Sequence, residues 1–180
     1  MKFPKLYSAT AGLIGLISAA GHAGEAPILK DNQAVIQVKG VVCSFCAYGT
    51  EKNLAKLSFL NPSYFDGDGV LLDINTHRIT LALNPKKKVD YSAINQAILD
   101  GGYDPIKVYV RAHGFVSRDY GQTYLTCSES GQVYRLEGSL IPSASASQAF
   151  FIQGDLPANM IAQNGSKPLP LKVTLVEEAQ

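Results

Sequence analysis

The chain has 180 residues and a formal net charge of +1, from 16 Lys and Arg against 15 Asp and Glu. This balance argues against nucleic-acid binding, which requires a basic excess or a basic stripe. Hydrophobic residues make up 46% of the chain and charged residues 17%, which argues against extensive disorder. Three cysteines are too few for a small protein that is held together by disulfides.

The N-terminus has the pattern of a secretory signal peptide. Lys2 and Lys5 precede a short apolar run at residues 13–17, and small residues, Gly21 and Ala23, stand at positions −3 and −1 of a cleavage site after Ala23. The apolar run is too short to span a bilayer well. We therefore predict a signal peptide at residues 1–23, a periplasmic or secreted product, and no membrane span. An ordinary N-terminal helix is the alternative.

The next part of the chain, residues 32–112, alternates between strand and helix patterns. Helix periodicity follows Cys46, and it follows again after Asp90, which is placed as an N-cap. Four runs have strand patterns: residues 34–38, 70–74, 79–83 and 106–110. The order strand, helix, strand, strand, helix, strand predicts a ferredoxin-like βαββαβ domain, and therefore an α+β fold class.

From residue 114 onward the helix periodicity disappears. Turn residues separate five short runs with strand patterns: residues 114–117, 123–127, 132–138, 149–155 and 169–176. This spacing predicts a small all-β domain at residues 114–178, most simply an OB-like barrel. The predicted boundary between the two domains therefore lies at residues 112–114.

Cys43 and Cys46 form a Cys-x-x-Cys motif between the first predicted strand and the first predicted helix. Ser44 is placed to cap the helix, so Cys46 falls in the first turn, where unpaired N–H groups favour the thiolate. Two sulfurs within about 4.6 Å of each other suit two-coordinate Cu(I) or Hg(II), whereas Zn requires more ligands. From the residues alone, a structural disulfide, a redox couple and half of a zinc site remain open.

Residues 32–112 resemble the heavy-metal-associated domain family, which are ferredoxin-like carriers of copper and mercury. The resemblance rests on Val38-Lys39-Gly40-Val41-Val42-Cys43-Ser44-Phe45-Cys46, Glu51-Lys52-Asn53-Leu54 and Gly102-Tyr103. It implies that Cys43 and Cys46 bind one Cu(I) or Hg(II) ion per chain, with Tyr103 near the sulfurs as a shield. Val41 stands where the family usually has a methionine that packs in the core and anchors the loop.

Other candidate sites give weaker signals. Cys127 is interpreted as a buried core cysteine, and His77 and His113 as surface histidines rather than as a third metal ligand. Residues 66–69 are interpreted as a turn rather than a calcium loop, because the remaining calcium ligands are missing. The aromatic pair at residues 64–65 is expected to pack over the sheet, with partner docking as the alternative.

We therefore predict a non-enzymatic, exported carrier that holds a soft metal ion and passes it on by ligand exchange. Its partners are the metal ion and possible protein metal donors or acceptors, with no nucleic acid. The main alternative is a thiol–disulfide oxidoreductase or redox-sensing module that uses the same Cys-x-x-Cys pair. A third interpretation is a permanently oxidised pair in an interaction module.

Overall fold

The computed structural model describes residues 26–40, 44–162 and 167–179, so the predicted signal peptide at residues 1–23 lies outside the described residues. The structure is mostly β, with 47% strand and 18% helix. The elements follow in this order: β1 (Gln33–Lys39), α1 (Ser44–Leu54), a 3-10 helix (Phe65–Gly67), β2 (Val70–Asp73), β3 (Arg78–Ala82), α2 (Tyr91–Asp100), β4 (Asp104–Asp119), β5 (Gln122–Cys127), β6 (Val133–Glu137), β7 (Ser145–Pro157), α3 (Ala158–Ile161) and β8 (Leu169–Glu178). In the described part of the chain, none of the helices has the length and apolar character needed to cross a bilayer.

The eight strands belong to a single sheet in the order β2-β3-β1-β4-β5-β6-β8-β7. An additional pairing between β4 and β7 closes the last five strands of this order into a barrel. Neighbouring strands are antiparallel except for β6 and β8, which are parallel. Strands β1, β3 and β2 extend the sheet outward from β4.

The long strand β4 joins the two parts of the sheet. One of its edges pairs with β1 along residues 104–110 and then with β5 along residues 114–119. Its other edge pairs with β7 along residues 107–116. A Cβ atom at Gly114 would lie 2.0 Å from the carbonyl oxygen of Thr126, so β5 can approach β4 this closely because the residue is glycine.

The predicted fold class is wrong. The sequence predicts an α+β chain with a ferredoxin-like βαββαβ domain before a separate OB-like barrel, and the structure does not show that fold. The physical reason is the pairing of β4, which has 16 residues and runs through the predicted boundary at residues 112–114. Residues 107–110, which lie in a run assigned to the first domain, pair with β7 and therefore belong to the closed barrel as well.

Most buried side chains form one hydrophobic cluster that extends on both sides of β4. Ile36 and Leu54 from the part with the long helices, and Leu125 and Leu171 from the barrel, are all 0% exposed. Burial of such a side chain stabilises a fold by about 1.5–3 kcal/mol. Helices α1 and α2 contact each other, and they contact the sheet through β2 and β4 respectively.

Two side-chain contacts connect the start of α2 to the barrel. Tyr91 in α2 and Tyr134 in β6 are both buried, and their hydroxyl oxygens lie 2.7 Å apart. The Gln132 side chain accepts a hydrogen bond from the Val89 N–H at 2.8 Å and donates one to the Val89 carbonyl at 3.3 Å. These contacts fix the entry into α2 against β6.

Candidate metal centre

Cys46 is exposed and lies in the first turn of α1, which begins at Ser44. Its backbone carbonyl accepts a hydrogen bond from the Thr50 hydroxyl at 3.2 Å. Thr50 itself is 0% exposed, so this bond ties the first turn of α1 to the protein interior. The first turn is therefore held from the inside while Cys46 stays accessible to solvent.

Thr50 also marks the closest approach between α1 and α2. A Cβ atom on Gly101 would lie 1.8 Å from Thr50 Oγ1, so glycine is required at this position. Gly101 is the C-cap of α2, and its N–H donates to the Ile98 carbonyl at 3.1 Å. Because Cys46 lies one turn before Thr50, this contact sets its position relative to the end of α2.

The segment that enters the motif also lies against the end of α2. Gly40 has a φ of +90°, and a Cβ atom there would lie 3.3 Å from the Gly102 carbonyl oxygen. The same Cβ would lie 3.9 Å from Cδ1 of Tyr103, which is 1% exposed. Tyr103 is thus a core residue beside the strand that leads to Cys43, and its shielding role stays a prediction.

Exposed aromatic side chains flank Cys46 on α1. Phe45 is 84% exposed and Tyr48 is 58% exposed. The Lys52 ammonium lies 5.4 Å from the centroid of the Tyr48 ring and 3.1 Å from Oδ2 of Asp68. Partial burial and the neighbouring Asp68 raise the pKa of the Glu51 carboxyl. The outer face of α1 is therefore apolar near Cys46 and charged one turn farther along.

Cys43 and Val41 lie outside the described residues, so the structure places one of the two predicted ligands, Cys46. Within residues 26–40, 44–162 and 167–179, no group of three or more His, Cys, Asp or Glu could hold a metal ion. The predicted site has two thiolates and is smaller than such a group. The pair of Cys43 and Cys46 therefore stays a prediction.

The three weaker candidates lie in different places. His77 is exposed in the turn between β2 and β3, and its carbonyl accepts a hydrogen bond from the Val38 N–H at 3.0 Å, near the end of β1. The ring of His113 on β4 lies 4.6 Å from the ring of Phe151. Cys127 is half-buried against the main cluster, and burial raises the pKa of its thiol to about 11. The folded chain therefore holds the proton of this thiol more tightly than the unfolded chain does.

The segment between α1 and β2 forms the predicted turn at residues 66–69, which follows the start of the 3-10 helix. Asp66 has a φ of 57°, and Asp68 forms the ion pair with Lys52. Tyr64 is 56% exposed, and its ring lies 6.4 Å from the ring of Phe65. Tyr64 is therefore more open to solvent than the sequence predicts, whereas Phe65 is half-buried.

The sequence analysis missed the contacts that hold α1, and with it Cys46, against the end of α2. The contact of Gly101 with Thr50 depends on the packing of two helices, which the local sequence pattern does not reveal. The pair Gly101-Gly102 is a signal for such a contact, since one C-cap glycine is enough to end a helix.

Comparison with known proteins identifies no relative: no family model, no curated protein and no solved structure matches the chain. The resemblance of residues 32–112 to the heavy-metal-associated domain family therefore stays a sequence-based hypothesis.

Proposed function

We propose that the chain is an exported, non-enzymatic carrier that holds one Cu(I) or Hg(II) ion between Cys43 and Cys46. The observation that carries the proposal is the position of Cys46, exposed in the first turn of a helix whose interior side is anchored. A carrier requires an accessible sulfur on a fixed frame, because a receiving ligand must attack the metal while the fold stays in place.

The choice of metal follows from the ligand set. Soft thiolates select soft cations, and two thiolates satisfy the low coordination number that Cu(I) and Hg(II) accept. The N–H groups at a helix N-terminus have no partner within the helix, and together with the positive end of the helix dipole they favour a negative charge on a sulfur in the first turn. The spacing of two residues allows both sulfurs to reach the same ion.

The same position of Cys46 would also serve a thiol–disulfide oxidoreductase, which is the second candidate function. An exposed thiolate at a helix N-terminus is the attacking group of such enzymes. The two functions differ in turnover. A carrier releases its ion to a competing thiol without redox chemistry, whereas an oxidoreductase exchanges disulfides repeatedly.

The first test is an anaerobic titration of the reduced protein with Cu(I) in the presence of a competing chelator, and separately with Hg(II). We expect one ion per chain in the native protein. Cys43→Ser and Cys46→Ser should each lower the affinity by at least about a hundred-fold, because one thiolate cannot hold a two-coordinate ion. Retained affinity in both single variants would contradict the proposal.

The matched control is Cys127→Ser, which removes the half-buried thiol of the barrel. Cys127 lies at the end of β5, outside the Cys-x-x-Cys motif, so this variant should keep the native affinity. Disulfide exchange measured with the same proteins separates the two functions. Multiple turnovers above the uncatalysed rate, together with no binding of Cu(I) or Hg(II), would favour the oxidoreductase.

A further inference from the structure

A cleft lies where β1 and β5 meet the same edge of β4. The pairing of β4 with β1 ends at Val110, and its pairing with β5 begins at Gly114. The cleft borders residues 111–113 between these two pairings, and its volume is about 480 Å³, part of which is open to solvent. It lies at the start of β1, whereas the Cys-x-x-Cys motif follows the end of this strand, roughly 20 Å away. The cleft is therefore separate from the candidate metal centre.

The floor of the cleft is apolar and is built from both parts of the sheet. Its apolar lining residues are Leu83, Val89, Val110, Ala112 and Tyr134. The Tyr134 hydroxyl, the polar atom of this group, lies 2.7 Å from the Tyr91 hydroxyl and is therefore already paired. The hydrogen bonds between the Gln132 side chain and the Val89 backbone join the two walls. A ligand side chain that enters the cleft is therefore removed from water against apolar groups.

The two walls of the cleft carry opposite charges. Lys87 lies between β3 and α2, Glu129 lies in the turn between β5 and β6, and both line the cleft. In the part of the chain that the structure describes, neither side chain forms an ion pair. The guanidinium of Arg111, which also lines the cleft, is already paired with two carboxylates. Lys87 and Glu129 are therefore the charges of this lining that a ligand can neutralise.

The wall that carries Lys87 also offers neutral hydrogen-bond donors and a positive potential. The Lys87 ammonium donates to the Ser58 carbonyl, which leaves two of its three N–H groups for a ligand. The Asn84 side chain lines the same wall, and because its Oδ1 accepts from the Lys86 N–H at 3.0 Å, its amide group remains a donor. Lys86 and Lys88 add positive charge on either side of Lys87. This wall therefore suits a carboxylate.

We propose that this cleft binds a free amino acid with an apolar side chain. Lys87 and the Asn84 amide bind the carboxylate, Glu129 binds the ammonium, and the ligand side chain packs on the apolar floor. A zwitterion fits because the two walls carry one unpaired charge of each sign, so a ligand with a single charge leaves one of them uncompensated. A single amino acid fits better than a longer peptide, because the volume lies near the lower end of small-molecule sites.

The test is isothermal titration calorimetry of the protein with leucine, valine and phenylalanine, followed by two analogues of leucine. Leucinamide lacks the carboxylate, and N-acetylleucine lacks the ammonium. We expect saturable binding of at least one of the three amino acids, with one site per chain. Each analogue should bind about ten-fold more weakly than leucine, because a hydrogen-bonded charge is lost. No saturable binding of the three amino acids, or equal binding of leucine and both analogues, would overturn the proposal.

Two variants assign the charged groups of the ligand to the two walls. Lys87→Met should weaken leucine binding about ten-fold and remove the preference for leucine over leucinamide. Glu129→Gln should weaken it similarly and remove the preference over N-acetylleucine. Both side chains are exposed, so the fold is not expected to depend on them. Lys86→Met is the matched control, because Lys86 lies in the same loop outside the lining. An equal loss of binding in Lys86→Met, or no loss in the other two variants, would contradict the proposed site.

A cross-test separates this site from the proposed metal site. Lys87→Met and Glu129→Gln should keep the native Cu(I) affinity, and Cys46→Ser should keep the native affinity for leucine, because the two sites lie at opposite ends of β1. Failure of the metal titration would therefore leave the result at the cleft intact, and the reverse also holds. Loss of leucine binding in Cys46→Ser would contradict a site at this cleft.

Discussion

The two parts of the sheet that meet at β4 are held in place by different kinds of contact. Around Cys46, the surrounding structure is held by close approaches at the end of α2, where Gly40 lies against Gly102 and Gly101 lies against Thr50. In the barrel, order depends on a closed ladder of strand pairs. The comparison shows that helix packing positions the candidate metal centre, whereas barrel closure holds the strand on which both parts depend.

The largest expected effect on stability comes from disturbing β4, the strand that both parts of the sheet share. Gly114→Val places side-chain atoms where a Cβ already lies 2.0 Å from the Thr126 carbonyl, so β4 and β5 must separate. We expect a loss of about 4 kcal/mol or more in the free energy of unfolding, measured by urea denaturation. Gly131→Ala is the control, because its Cβ has open space and only backbone strain of about 1 kcal/mol acts there. A stable Gly114→Val protein would show that β4 is not the shared strand.

The second prediction concerns a variant that disturbs the packing of α1 against the end of α2, near Cys46, and leaves the barrel unchanged. Gly101→Ala forces α1 and α2 apart at Thr50, at a cost of about 1–3 kcal/mol. Because Thr50 anchors the Cys46 carbonyl, the variant should also bind Cu(I) less tightly than the native protein. Gly49→Ala, on the open side of α1, is the matched control and should stabilise the helix by about 1 kcal/mol. If Gly101→Ala kept the native Cu(I) affinity, the packing of α1 against α2 would not be what positions the metal site.

The third prediction concerns the contact between α2 and the barrel. Tyr91→Phe or Tyr134→Phe leaves the other hydroxyl buried without its partner, at a cost of about 1–3 kcal/mol. The double variant removes both hydroxyls and should recover much of this loss, because no buried polar group remains unpaired there. Thermal unfolding of the four proteins gives the coupling energy. Additive losses would mean that the hydroxyl contact does not join the two parts.

The fourth prediction is a loss of stability in alkali. Burial raises the pKa of the Tyr91 and Tyr134 hydroxyls, and it raises the pKa of the Cys127 thiol to about 11. The unfolded chain releases these protons at lower pH than the folded chain does, so stability falls as the pH rises above about 9. We expect a loss of about 1–2 kcal/mol between pH 9 and pH 10, measured by urea denaturation. Cys127→Ser should reduce this loss by roughly half, and an identical pH profile would contradict the assignment.

The sequence predicts elements that depend on local signals. Asp90 caps α2 as predicted, since its carboxylate accepts a hydrogen bond from the Ala93 N–H at 3.1 Å. The predicted helix after the Cys-x-x-Cys motif is also present, with Cys46 in its first turn. Capping and periodicity are properties of neighbouring residues, so they can be read without knowledge of the fold.

The fold-class prediction was wrong along β4. The sequence analysis placed a domain boundary at residues 112–114 because helix periodicity disappears from residue 114 onward, and it therefore assigned two short runs, 106–110 and 114–117, to different domains. In the structure Gly114 allows β5 to approach, and β4 continues through it. The hydrogen bonds of the Gln153 side chain to the backbones of Pro27 and Leu29 were equally hidden, because these residues lie 126 and 124 residues away in the chain.

The pairing of β4 with β7 also has a consequence for how fast the chain folds. Contacts between residues far apart in sequence raise the contact order, and a high contact order slows folding to milliseconds or seconds. Until β7 arrives, residues 107–116 of β4 present an unpaired edge that can pair with another chain. Barrel closure is therefore the kinetic step that ends the exposure of this chain to aggregation.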